Sequence, residues 1–292
     1  MQAFTYERPA TVEAAVQMMA STDARALAGG TDLIPQLRER RRTARLVVDL
    51  KHVHELTAIE RLDGGQWRIG AAASIRRIGA EAGLCRAYPG LIQAAQLIGS
   101  VQVQSRASLG GNLANGAPSA DAVPLLISIG AMAEIAGPAG RRTASVESLP
   151  VGPGRLALQP GEVIVALRLP PRPRRSAARY LRFTPRREMD IAVAGSGVAL
   201  ELDEDGAIRT ARITLASVGP VPVRAARAEA RLVGEMPVDA LLAEAAQIAA
   251  GEARPISDTR ASADYRRELV SVLTRRGLEA CVAEATVWGD GR

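Results

Sequence analysis

The chain is poor in the residues that carry several common chemistries. Only two cysteines occur, Cys85 and Cys281, far apart and outside any CxxC pair. They cannot supply the thiolate set of an iron–sulfur cluster, and isolated thiols of this kind fit a reducing compartment. Aromatic residues make up 3% of the chain, which argues against the stacking platforms of a single-stranded nucleic-acid binder. His52 and His54 are the only histidines. With no third ligand candidate nearby they read as partly exposed strand-end residues rather than a metal pair. No stretch approaches the roughly 20 apolar residues of a membrane span. Residues 1–20 lack the basic segment and apolar run of a signal peptide, so a cytoplasmic location is expected. Neither GxGxxG nor GxxxxGK[ST] is present, and no internal repeat is visible.

What remains is an ordinary globular balance, 47% hydrophobic and 23% charged, over 292 residues, enough for two or three packed units. The 37 Lys+Arg against 31 Asp+Glu give a formal charge of +6, nearly all of it from arginine. Such a surface could meet a polyanion, dock an acidic subunit, or simply face solvent. Thr11 reads as the N-cap of a helix through Met19. A buried strand at 24–28, a Gly-Gly turn, a helix at 33–40 and a strand at 46–50 form an α/β unit. From Ile59 the texture shifts to a hairpin at 62–69, helices opening at Ser74 and Pro89, and strands at 132–136 and 163–169. The segment 105–124 is polar and glycine-rich. Residues 170–175, Pro-Pro-Arg-Pro-Arg-Arg, deny both helix and central strand and mark a boundary. Beyond it three strands are expected at 180–183, 193–202 and 208–218, followed by helices at 223–233, 238–250 and 262–285. The expected division is 1–175, with an internal boundary near 58, and 176–292.

Two loops stand out. Ala28-Gly29-Gly30-Thr31-Asp32 lies between a strand and a helix, where glycines allow a tight turn and close approach to a ligand. Amides there, with those of the helix start, suit a diphosphate. The plain alternative is a strand-to-helix turn. Ser108-Leu109-Gly110-Gly111-Asn112-Leu113-Ala114-Asn115 repeats the logic, with Ser108, Asn112 and Asn115 as extra polar groups. Asp121, in Ser119-Ala120-Asp121, fits either an N-cap or an acceptor for ribose hydroxyls. Together the loops look like opposite jaws of one dinucleotide site. A third patch, Arg186-Arg187-Glu188-Met189-Asp190-Ile191-Ala192, reads as a solvated turn leading into a strand headed by Ile191.

This ordered set resembles the FAD-binding medium subunit of molybdenum hydroxylases, of the xanthine dehydrogenase and aerobic carbon monoxide dehydrogenase type. The resemblance rests on the 28–32 and 108–112 strings, Ser119-Ala120-Asp121, residues 187–192 and the opening Phe4-Thr5-Tyr6-Glu7-Arg8-Pro9-Ala10. It covers essentially the whole chain. It implies an α+β architecture: a two-subdomain FAD fold like that of vanillyl-alcohol oxidases, then a small C-terminal α+β domain with a three-stranded antiparallel sheet. It implies non-covalent FAD, with loops 28–32 and 108–112 on the pyrophosphate, Asp121 on the adenosine side and Ile191 near the isoalloxazine. Covalent attachment through His52 or His54 is not favoured, since neither lies in a pyrophosphate loop. Molybdopterin and [2Fe–2S] centres would sit on a large and a small partner subunit, in a dimer of heterotrimers. This chain would take electrons from the [2Fe–2S] subunit and pass them to a terminal acceptor. The arginines at 38–45 and 172–187 are candidates for docking those partners. Competing readings are a self-sufficient flavin oxidase and a basic nucleic-acid-binding protein; nucleic acid is not the expected partner.

Overall fold

Three larger sheets, beside a two-stranded ribbon of Pro150–Gly152 and Arg155–Leu156, organise the chain in the computed structural model, which describes residues 2–187 and 189–289. The first is parallel, in the order Thr5–Glu7, Leu46–Asp49, Ala24–Leu27. Helix Val12–Met19 crosses between the first two strands of the sequence. Thr11 caps it by accepting from the Ala14 amide at 3.1 Å, and Val12, Ala15 and Val16 are its buried face. Helix Leu33–Arg38 follows strand Ala24–Leu27 and so stands beside the C-terminal edge of the sheet, where α/β units place their ligands.

The second sheet has five antiparallel strands ordered Ile59–Arg61, Trp67–Gly70, Val163–Leu169, Met132–Gly137, Gly140–Ser145. Strand Val163–Leu169 is buried at every position but one, as befits a central strand. On one side its Val163 and Val165 share a core with Val12, Val48 and Leu56 of the first unit. On the other, Ile164 and Leu167 meet the helices of residues 75–128. The turn at 137–140 joins Met132–Gly137 to Gly140–Ser145, a strand absent from the sequence expectations. The extra strand carries Arg141 and Arg142 on an exposed edge, so its pattern lacks the alternation of a half-buried strand. The polar, glycine-rich segment 105–124 is partly helical. It contains helix Leu109–Ala114 and the start of Val123–Ser128.

Residues 170–175 carry no helix or strand. After them an antiparallel sheet runs Ser176–Phe183, Ala194–Leu202, Ile208–Ala216, Val223–Arg224. It has four strands rather than the expected three. The last is a two-residue edge strand where the sequence reads as a helix start, and the helix itself opens at Ala226. Helix Ala263–Gly289 covers the sheet. It is fixed by a buried Ser196–Thr274 hydroxyl pair at 2.9 Å and by Arg266 Nη1 on the Val193 carbonyl at 2.6 Å. Cys281 is fully buried on that helix, and burial pushes its thiol up. His52 and His54 lie in short helical turns, Leu50–His52 and His54–Thr57, not at extended strand ends. Among the described residues no helix is long and apolar enough to cross a membrane, and no group of three His, Cys, Asp or Glu could hold a metal ion.

Candidate functional site

Between the first two sheets lies an open cleft of about 310 Å³, at the lower end of the roughly 300–1,000 Å³ of small-molecule sites. The two glycine loops form its walls. Ala28, Gly29, Gly30, Thr31 and Asp32 line one side, and Ser108, Gly110, Gly111, Asn112 and Asn115 the other. Leu50, Ala71, Ala72 and Ile164 add apolar surface.

The jaws touch directly. A Cβ on Gly29 would stand 2.2 Å from the Arg106 carbonyl oxygen, and one on Gly110 would stand 2.5 Å from that of Ala71. These two glycines therefore serve contact between protein segments rather than approach of a ligand. Gly30 and Gly111 differ. Gly30 has φ +76°, the left-handed region that favours glycine. A Cβ on Gly111 would meet only Ser108 Oγ at 3.0 Å and Ala28 Cβ at 3.9 Å, so its backbone stays open. Across the cleft, Gln36 Nε2 donates to Asn115 Oδ1 at 3.2 Å, tying the two short helices together.

The first loop has an ordered polarity. Its carbonyls turn inward: Lys51 Nζ donates to Ala28 O at 2.8 Å, Arg106 Nε approaches Gly29 O at 3.5 Å, and the Ile34 amide donates to Gly30 O at 3.1 Å. The amides of Gly29, Gly30, Thr31 and Asp32 have no protein acceptor among the described residues. The Gly110 amide has none either, because Ser108 Oγ is taken by Gly111 N at 3.0 Å and its carbonyl by Asn112 N. Unsatisfied donors on four successive residues of one jaw, with one more on the other, make an anion-binding arrangement. Asp32 occupies the N-cap of its helix but makes no capping bond. Burial raises its carboxyl above the usual range, opposed by Arg42, which also lines the cleft.

Two expected residues stand elsewhere. Asp121 is buried, but it does not line the cleft and is not an N-cap; that position is Ala122. Its carboxylate accepts from Arg182 Nη1 at 2.6 Å and from the Tyr180 hydroxyl at 3.2 Å, both on the first strand of the C-terminal sheet. Burial pushes that carboxyl up despite both partners. Ile191 is 46% exposed and does not head a strand, which begins at Ala194. Neighbouring Glu188 lies outside the described residues. The arginines at 172–187 are largely engaged within the chain: Arg172 and Arg179 with Glu284, Arg182 with Asp121, and Arg186 with Asp190. Lys51 and Gln36 carry no expectation in the sequence, and Arg42 figures there only among the 38–45 arginines as candidates for docking a partner. Only Lys51 left a signal, a lone lysine just past a buried strand ending in Asp49.

Comparison with known proteins agrees with this geometry. Residues 2–172 match the family described as the FAD binding domain in molybdopterin dehydrogenase, and residues 179–281 match the CO dehydrogenase flavoprotein C-terminal domain. The chain is 31% identical to a putative xanthine dehydrogenase FAD-binding subunit of Escherichia coli, over 96% of this chain and 97% of that one. It is 33% identical to the carbon monoxide dehydrogenase medium chain of Afipia carboxidovorans, over 97% and 98%. Among solved structures, a Cu,Mo-CO dehydrogenase superposes with TM-score 0.92 at 32% identity, covering 97% of this chain and 98% of that one. Quinoline 2-oxidoreductase from Pseudomonas putida 86 does so with TM-score 0.90 at 30% identity and the same coverage. With two domain models end to end and relatives matched over nearly their full length, the chain belongs to the FAD-binding medium subunits of the xanthine dehydrogenase and carbon monoxide dehydrogenase family.

Proposed function

We propose that this chain carries FAD non-covalently in the cleft between its first two sheets, as the electron-transfer subunit of a three-subunit molybdenum hydroxylase. The observation that carries this reading is the convergence of free amides from residues 29–32 and 110 on one cleft. Donors held by a folded backbone bind an anionic bridge without reorganising, which favours affinity. Residues 28–32 and 108–112 hold the diphosphate, and the apolar surface of Leu50, Ala71, Ala72 and Ile164 accepts uncharged parts of the nucleotide. Bound FAD supplies two-electron storage with one-electron exchange, which lets a one-electron iron–sulfur donor communicate with a terminal acceptor. The chain's own side chains bind and orient; none is required as a general acid or base. Asp121, packed against the first strand of the C-terminal sheet, and Ile191, in the turn before its second strand, lie outside the cleft lining; in this reading they contact the nucleotide beyond its diphosphate.

The related medium subunits support a large molybdopterin subunit and a small [2Fe–2S] subunit as partners, in a dimer of heterotrimers within the cytoplasm. The test is the ultraviolet–visible spectrum of the complex purified through this chain. Flavin absorption together with iron–sulfur absorption is expected. Flavin with no partner and turnover of a small substrate alone would favour a self-sufficient oxidase. Nucleic acid without flavin would overturn the reading.

A further inference from the structure

The first peptide of this loop, Ala28–Gly29, is held by a side chain outside it. Strand Leu46–Asp49 ends in Asp49, which is 2% exposed. Its carboxylate accepts from Lys51 Nζ at 2.5 Å and from the Lys51 amide at 3.0 Å, and the Tyr6 hydroxyl donates to the other oxygen. These contacts hold Asp49 ionised: its carboxyl lies below the ordinary range although burial alone would raise it. The held ammonium, its side chain 21% exposed, then reaches the Ala28 carbonyl at 2.8 Å. The chain has no cis peptide bonds among the described residues. In a trans peptide the carbonyl and the following N–H point in opposite directions. Fixing the Ala28 carbonyl toward Lys51 therefore turns the Gly29 amide the other way, and Gly29 lines the cleft.

We propose that Lys51, clamped by Asp49, is a positioning residue that orients the Gly29 amide, the first of the 29–32 row, toward the cofactor's diphosphate. The proposal rests on the reading of the cleft as an FAD site. It differs from simple attraction of a lysine for phosphate in the sign expected at Asp49. If Lys51 acts only by its charge, removing the Asp49 carboxylate leaves more net positive charge near the cleft and tightens binding. If Lys51 acts by geometry, losing Asp49 frees the ammonium and weakens binding.

The experiment titrates the flavin-free full chain with FAD, ADP and riboflavin, for wild type, Lys51→Met, Lys51→Arg and Asp49→Asn, with thermal melts of each free protein. Lys51→Met should weaken FAD and ADP by the same factor, about 10- to 100-fold, the worth of one charge-assisted hydrogen bond. Riboflavin, which lacks the diphosphate, should change by less than about threefold on the same reasoning. Asp49→Asn should weaken FAD in the same direction, and Lys51→Arg should restore most of the affinity. Tighter FAD binding by Asp49→Asn, or unchanged binding by Lys51→Met, overturns the proposal. If Lys51→Met fails to fold, Lys51→Gln, which keeps a donor but no charge, replaces it and should bind FAD better than Asp49→Asn does. A wild-type chain that binds neither FAD nor ADP would instead overturn the FAD reading itself.

Discussion

Gly29→Ala separates the roles of the four loop glycines. The new Cβ would stand 2.2 Å from the Arg106 carbonyl oxygen, 2.6 Å from its carbon and 2.8 Å from the Ala107 nitrogen. An ordinary contact needs roughly 3.5 Å, so one jaw must retreat by about 1 Å. The opposing backbone cannot yield freely. The Arg106 and Ala107 amides donate to the Val103 carbonyl at 2.9 and 2.8 Å, and the Ala107 carbonyl accepts from Ile75 at 2.9 Å. Overpacking of this kind costs about 1–3 kcal/mol, and one lost anchoring bond adds about 1 kcal/mol. We therefore expect a loss of about 2–4 kcal/mol in urea denaturation. Displaced donors should forfeit at least two charge-assisted hydrogen bonds, weakening FAD about 100-fold or more. Gly111→Ala is the contrast. Its Cβ faces only Ser108 Oγ and Ala28 Cβ, and alanine is favoured over glycine within a helix by about 1 kcal/mol. Stability should hold or rise while FAD weakens. Gly30→Ala, at φ +76°, should cost about 1–2 kcal/mol from backbone strain. Equal flavin loading and equal melting for Gly29→Ala and wild type would refute the contact between jaws.

Three further outcomes follow from the packing around the cleft. Arg182→Met leaves the Asp121 carboxylate unpaired where both side chains are nearly buried, 6% and 11% exposed, and should cost about 3–5 kcal/mol. In the double variant with Asp121→Asn much of that loss should return, measured by a denaturation cycle. The Arg142 guanidinium, donating to both carboxylate oxygens, holds Glu162 below the ordinary carboxyl range. A depressed carboxylate stabilises the fold above its unfolded pKa and loses that contribution as pH falls through the folded one. The urea midpoint should thus drop below about pH 4.5, and Glu162→Gln should flatten that limb. Gly90→Ala would place a Cβ 1.9 Å from the Ala178 carbonyl oxygen. It should force helix Pro89–Gln96 away from strand Ser176–Phe183 and lower the melting temperature by several degrees, as about 1–3 kcal/mol of overpacking does.

The legible parts of the fold were those with a local cause. Thr11 and Ser74 cap helices where their side chains reach the amide three residues on, and 46–50 reads as a buried strand because Leu46, Val47, Val48 and Leu50 make a short apolar run. Strand Gly140–Ser145 was not legible: its arginines answer Glu13, Glu55 and Glu162, which are distant in sequence. Strand Val223–Arg224 was missed because two residues carry no period. The polar character of 105–124 hid helix Leu109–Ala114, whose two glycines lower helix propensity, although Gly110 permits its close contact with Ala71. In the cleft, the glycine strings named the right loops but not each glycine's task. That Gly29 and Gly110 abut backbone of Arg106 and Ala71, that Gly30 serves a left-handed turn and that Gly111 stays open depends on how these segments meet. Asp121 is the clearest case. An acid before a helix reads as a cap, whereas here a strand about 60 residues later supplies Tyr180 and Arg182.

That last pairing ties the cleft to the C-terminal sheet. The 117–122 segment is attached at one end to the second jaw, where Asn112 Oδ1 accepts from the Ala122 amide at 3.3 Å. At the other it is held to the C-terminal unit by Asp121 and by the Ser217 amide on the Pro118 carbonyl at 2.9 Å. Asn112 thus belongs at once to a cleft wall and to the anchor of a distant sheet. A ligand that binds only the folded cleft stabilises whatever the cleft requires, so nucleotide binding and seating of the C-terminal sheet are thermodynamically linked. Linkage is reciprocal. Arg182→Met should weaken FAD although Arg182 does not line the cleft, and FAD should raise the melting temperature of wild type more than that of the variant. Equal FAD affinity in the two proteins would mean that Asn112 keeps its place without the 117–122 anchor, and that the C-terminal sheet is carried by the cleft without shaping it.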